Sequence, residues 1–203
     1  MDIEKKYSII YKILWEVWVF KLFKKNYLFM ILKTKFKGLI IIKNKIFFDQ
    51  RGYFKEILRE NKIKSKFPFH VMSFSKKNVI RGLHLQRNNT QGKFVTVLRG
   101  KILDVAVDLR KNSKTFGKHY STIMSENNSI SIYIPPGFAH GVCGLERENY
   151  IIYSCSKYRD KQSEIGIKFN DKELKVKWPI KKPILSKKDR NNISFAEYKK
   201  KYL

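Results

Sequence analysis

The chain has 203 residues, 43% of them apolar and 14% aromatic, enough to bury the core of one domain and too apolar for a disordered chain. Its formal charge of +27 looks like a nucleic-acid signal, but 35 of the 44 basic residues are lysines, spread from Lys5 to Lys201. Nucleic-acid recognition favours clustered arginine, so no nucleic-acid partner is expected; a solvated basic surface of this kind draws anionic small substrates.

Residues 1–32 differ in texture from the rest. They are dense in aromatic and aliphatic side chains, yet Lys12, Glu16, Lys21, Lys24 and Lys25 interrupt them, leaving no run of about 20 apolar residues to span a bilayer. They also lack the small-residue cleavage site of a signal peptide. An interfacial amphipathic helix is one reading; the preferred one is an atypical extension, with Met30 as the natural start, ahead of a single domain over 33–203. No stable membrane association is expected.

From Lys33 onward the pattern is all-β. In IRGLHLQ (Ile80–Gln86) strict alternation puts Gly82, His84 and Gln86 on one face and Leu83 and Leu85 on the other. If the leucines pack between sheets, His84 and Gln86 line a cavity. KFVTVLRGKILDVAVDLR holds two alternating runs around Arg99-Gly100-Lys101, a hairpin signal. Leu103, Val105, Val107 and Leu109 share one face of the second run, and Ile102, Asp104, Ala106 and Asp108 the other. SISIYIPPGF alternates Ile130, Ile132 and Ile134 before a Pro-Pro-Gly turn, and His140 follows that turn. NYIIYSCSKY sets Ile151, Tyr153 and Cys155 on one face. Short strands recurring with turn signals predict a sandwich or barrel, and the polar tail predicts a short helix over Phe195–Tyr202.

Cys143 and Cys155 form no CxxC or zinc-type spacing, a usage that fits a reducing cytoplasm. The turn-then-His pattern PPGFAH is similar to the second half of the metal signature of the cupins. The first half normally has two His separated by one residue and then a carboxylate. Here Gln86 stands two after His84, RNNTQGK brings no acid, and Lys93 is a cation where a metal needs negative charge. Two His fall short of the three or four protein ligands a divalent metal takes, so no metal is expected.

Taken in order, DQRGYFKE, NVIRGLHLQ, QGKFVTVLRGKILDVAVDLRKNSKTFG and IPPGFAHG, then Tyr153, Tyr158, Glu164, IKFND, VKWPI and PILSKKD, resemble the dTDP-4-dehydrorhamnose 3,5-epimerase family from about Lys33 to Asp189. The resemblance implies an all-β, cupin-type jelly roll (a double-stranded β-helix) with a short C-terminal helical tail. It also implies a homodimer, no metal or organic cofactor, and a cytoplasmic isomerase serving cell-surface polysaccharide synthesis. The implied substrate is a nucleotide-diphosphate 4-keto-6-deoxyhexose, epimerised at C3 and C5.

That chemistry needs a base on one face of the sugar, a stabiliser for the enolate oxygen and an acid on the other face. His84 matches the family's base; an imidazole of ordinary pKa, about 6.5, is largely neutral at pH 7. Asp189 matches the carboxylate that orients it, Tyr153 the proton donor and Lys93 the cation near the enolate oxygen. Arg51, Glu56, Arg81, His140, Glu164 and Lys188 match positions that hold nucleotide, diphosphate or sugar. Strict alternation places Arg81 opposite His84, which a bulge at Gly82 would correct.

One departure bears on the substrate. The family has a Gln and an Asn upstream of RGLH that contact the ligand, whereas FHVMSFSKKN here places Met72 and Phe74 near those positions. This leaves the nucleotide open among thymidine, cytidine and guanosine forms. Rival readings are a single-site C3 or C5 epimerase, a less favoured ketoisomerase, and a non-catalytic sugar-nucleotide-binding barrel.

Overall fold

The structure, a computed structural model, describes residues 29–203. Most of the extension expected over 1–32 therefore lies outside the described residues; its last four residues belong to the first strand. The strands are β1 (Phe29–Lys33), β2 (Ile40–Asn44), β3 (Ile46–Asp49), β4 (Gly52–Lys55), β5 (Phe69–Lys76), β6 (Ile80–Gln86) and β7 (Lys93–Arg99). They continue with β8 (Lys101–Asp108), β9 (His119–Ser125), β10 (Ile130–Ile134), β11 (Phe138–Gly144), β12 (Glu148–Cys155) and β13 (Glu164–Gly166). Short helices are α1 (Glu60–Ile63), α2 (Lys187–Arg190) and α3 (Phe195–Tyr202). No described helix is long and apolar enough to cross a membrane.

Two antiparallel sheets make the jelly roll: β1-β2-β10-β7-β12-β5, and β13-β6-β11-β8-β9. The β3–β4 hairpin forms a third, two-stranded sheet. Period-two alternation explains the layers. Ile102 and Ala106 of β8 join Val95, Val97, Ile132, Ile134, Val142 and Ile151 in the core between the sheets. Leu103, Val105 and Val107 point the other way, under a C-terminal coat that contributes Ile167, Leu174, Phe195 and Tyr198. Both faces of β8 are thus buried, and each fully buried aliphatic side chain contributes about 1.5–3 kcal/mol. The tail helix falls at Phe195–Tyr202, where the polar tail predicts it. Ser194 and Glu197 close its first turn as a reciprocal capping box.

Two expectations need correction. The Arg99-Gly100-Lys101 turn is not a hairpin: β7 pairs with β10 and β12, β8 with β11 and β9. Gly100, at φ +87°, passes the chain from one sheet to the other, and a Cβ there would meet the Glu148 carbonyl. Alternation is the same for a hairpin and for a crossing between layers, so it does not tell them apart. Leu83 and Leu85, in turn, pack under the C-terminal coat and not between the sheets. With the coat burying that face, the opposite face is left for His84 and Gln86 to line a cavity.

Candidate active site

A cavity of about 450 Å³ opens between the sheets, a volume suited to a small-molecule ligand. β5, β7 and β12 supply one wall, β6, β11 and β13 the other, and α2 closes part of the mouth.

His84 reaches the cavity because β6 is bulged. His140 pairs with His84 and Val142 with Arg81, so two steps along β11 match three along β6. Gly82 supplies the irregular residue, at φ +139°, and a Cβ on it would sit 2.6 Å from the Gly141 Cα. The bulge expected there re-aims the strand, and both Arg81 and His84 line the same cavity. His84 Nε2 lies 2.5 Å from Asp189 Oδ1. An ionised carboxylate only accepts, so Nε2 carries the proton and Nδ1 keeps its lone pair. Asp189 is itself fixed: Ser186 Oγ donates to Oδ2 at 2.8 Å, and the Asp189 amide donates to Ser186 Oγ at 3.0 Å. Burial works against ionisation of Asp189, but hydrogen bonds from His84, Ser186 and Asn192 outweigh it and hold the carboxyl below its ordinary range.

Tyr153 and Lys93 come from the opposite sheet. Burial pushes the Tyr153 phenol up to about 12, so it stays a proton carrier at neutral pH. Its hydroxyl lies 3.3 Å from Ser73 Oγ, and its ring meets the His140 ring edge-on at 6.0 Å. Burial pulls the Lys93 ammonium below the usual lysine range, a pull that Cys155, Glu164 and Asp104 counter only in part. His140 Nε2 lies 2.7 Å from Asp104 Oδ2, with both side chains buried.

At the mouth, Glu164 is held between Arg159 and Lys188, each at 2.8 Å. Those two cations overcome the effect of burial and keep its carboxyl low. Arg81 donates to Ser75 Oγ and to the Phe74 carbonyl, both at 2.9 Å. Eight of the ten residues singled out from the sequence (His84, Tyr153, Asp189, Lys93, Arg81, His140, Glu164 and Lys188) therefore share one cavity. Arg51 and Glu56 do not line it: Arg51 pairs with Asp49 at the tip of β3–β4, and Glu56 pairs with Arg59.

The two residues singled out upstream of RGLH lie outside the cavity lining. Met72 and Phe74 point outward from β5, 61% and 40% exposed, whereas Phe69, Val71 and Ser73 line the cavity. The apolar residues that β5 contributes to the cavity are Phe69 and Val71, and the Phe69 ring packs on Tyr158 at 5.7 Å. Sequence reasoning missed Asp104, Arg159, Ser73 and Ser186 as site residues. Two left a signal: Asp104 is an acid on an apolar strand, and Ser186-Lys187-Lys188-Asp189 has capping-box spacing. Arg159 and Ser73 left none.

The model of the family described as dTDP-4-dehydrorhamnose 3,5-epimerase matches residues 33–197. A protein of that description from Methanothermobacter thermautotrophicus is 41% identical over 171 residues, covering 80% of this chain and 92% of the relative. The crystal structure of dTDP-6-deoxy-D-glucose-3,5-epimerase from Legionella pneumophila, in complex with dTDP-4-keto-L-rhamnose, superposes with a TM-score of 0.79 at 38% identity. It covers 82% of this chain and 92% of that one. A 3′-monoepimerase from Streptomyces bikiniensis in complex with dTDP-quinovose superposes with a TM-score of 0.78 at 26% identity, over 82% and 88%.

Proposed function

Because the chain belongs to the dTDP-4-dehydrorhamnose 3,5-epimerase family and is an isomerase, we propose that it epimerises C3 and C5 of a dTDP-linked 4-keto-6-deoxyhexose in the cavity between its sheets. The observation that carries this reading is the placement of His84 and Tyr153. An oriented base on one sheet and a protonated phenol on the other flank the same cavity.

In a 4-keto sugar the hydrogens on C3 and C5 are acidified by the neighbouring carbonyl. His84 Nδ1 takes one of them, and the electron pair moves into the C4 carbonyl to give an enolate. Lys93 faces the developing oxyanion, where a fixed positive charge stabilises the transition state more than the ground state. Tyr153 returns a proton to the same carbon from the opposite face. Asp189 stabilises the imidazolium between the two transfers, and general acid–base help of this kind is worth about 10²–10⁴-fold. Arg81, Lys188 and Arg159 give the mouth the cationic character a diphosphate requires, with His140 and Glu164 as further ligand contacts. No metal or organic cofactor enters this scheme.

A cytoplasmic homodimer is the assembly we favour. The β3–β4 hairpin exposes Phe48, Tyr53 and Phe54 at 74%, 55% and 66%, an apolar surface that a second copy would cover. Arg51 and Glu56 would contact substrate only if that second copy brought their hairpin to a cavity.

The test is NMR in D₂O with 4-keto-6-deoxyglucose linked to thymidine, cytidine or guanosine diphosphate. Deuterium entering C3 and C5 with the thymidine form, and absent in His84→Ala, supports the proposal. Entry at one carbon would make this a single-site epimerase. Binding without exchange would make it a sugar-nucleotide-binding barrel.

A further inference from the structure

Ser73 sits in β5, at the edge of the six-stranded sheet. Its side chain is half-buried and lines the cavity, with Oγ 3.3 Å from the Tyr153 hydroxyl. Met72 and Phe74, on either side of it, point to solvent. Ser73 is therefore a hydroxyl that touches Tyr153 from the rim of the sheet, where water has access.

Inversion at two carbons raises a proton problem. Each inversion moves a proton from carbon to His84 Nδ1 and another from the Tyr153 hydroxyl to the opposite face of that carbon. After the first inversion the base is an imidazolium and the acid is a phenolate, and neither can act on the second carbon. Imidazolium can lose its proton to water through the cavity mouth. The phenolate forms where burial disfavours its charge, and Ser73 Oγ is a hydroxyl within hydrogen-bonding reach of it.

Resting on the reading of His84 as base and Tyr153 as acid, we propose that Ser73 is the positioning residue that resets Tyr153 between the two inversions. Its hydroxyl donates to the phenolate oxygen as that charge forms. The phenol O–H then forms as the serine O–H breaks, and the serine oxygen takes a proton from water at the edge of β5. The hydroxide left behind is neutralised by the proton His84 releases. No electrons change hands, and water is the only co-reactant.

The experiment is single-turnover NMR in D₂O on the full chain with the thymidine-linked 4-keto-6-deoxyglucose, comparing wild type, Ser73→Ala and Ser73→Thr. In Ser73→Ala the first inversion is expected within about threefold of wild type. The second should slow about tenfold or more, a modest share of what positioned proton transfer supplies. Singly inverted sugar should then accumulate with ligand affinity retained, and Ser73→Thr should restore the wild-type ratio. Equal rates at both carbons in Ser73→Ala would overturn the relay. So would equal slowing at both carbons that Ser73→Thr does not rescue, since that marks a purely structural role. A wild type that exchanges at one carbon or none would overturn the two-site epimerase reading itself, and the relay with it.

Discussion

His84 and His140 stand opposite one another in the β6–β11 pairing, and each turns Nε2 to a different aspartate, Asp189 at 2.5 Å and Asp104 at 2.7 Å. The two pairs differ in access. The His84 side chain is 25% exposed and His140 only 5%, with Asp104 fully enclosed. A base must meet the hydrogen it removes, so the open pair suits proton abstraction and the closed pair suits fixing a wall.

Tyr153→Phe should separate abstraction from inversion. With the phenol gone, His84 can still take a proton and return solvent deuterium to the face it came from. Deuterium should therefore enter the sugar while the inverted product falls by about 10²–10⁴-fold. NMR of label and configuration in one sample reads both; loss of exchange together with inversion would contradict the division of roles.

Asp189→Asn keeps the shape of the pair but removes the charge that stabilises the imidazolium. Turnover should drop about 10²–10⁴-fold, with KM within a few-fold because Asp189 is buried behind His84. Steady-state kinetics at saturating substrate measures this split. A change confined to KM would move Asp189 from catalysis to binding.

Gly82→Ala tests the bulge. Its positive φ and the 2.6 Å approach to the Gly141 Cα leave no room for a methyl group. The expected loss is about 3 kcal/mol or more, read by denaturant unfolding, and surviving folded protein should be inactive because Arg81 and His84 lose their common aim.

Asp108 predicts acid sensitivity away from the cavity. Burial opposes its charge, yet bonds from Arg110, Ser113 and Thr115 bring its carboxyl down to about 2. A carboxyl lower in the folded than in the unfolded chain stabilises fully above its unfolded pKa, near 3.8, and loses that contribution as pH falls toward 2. The shift corresponds to about 2 kcal/mol. Asp108→Asn should therefore be less stable by about that amount at pH 7, and the gap should narrow below pH 4 in unfolding curves.

Much of this was legible in the residues. Alternation in KILDVAVD named the two faces of β8, and the family resemblance pointed to His84 and to Asp189 of SKKD, which the structure holds as a hydrogen-bonded pair. What the pattern could not carry was layer assignment. Period two says which residues share a face, not whether a sheet or a coat covers it, so it leaves open what Leu83 and Leu85 pack against. Nor does it fix which sheet follows a turn, as at Gly100. An edge strand with both sides partly exposed has no strong in–out signature, so the pattern of β5 does not show that Phe69, Val71 and Ser73, and not Met72 and Phe74, line the cavity.

The coat has a further consequence. Asp189 follows His84 by 105 positions and rides on α2, outside the sheets. The carboxylate that orients His84 is therefore supplied by the layer over the sheets and not by a strand. A change that shifted α2 alone would part Asp189 from His84 and leave the strand residues of the cavity where they are.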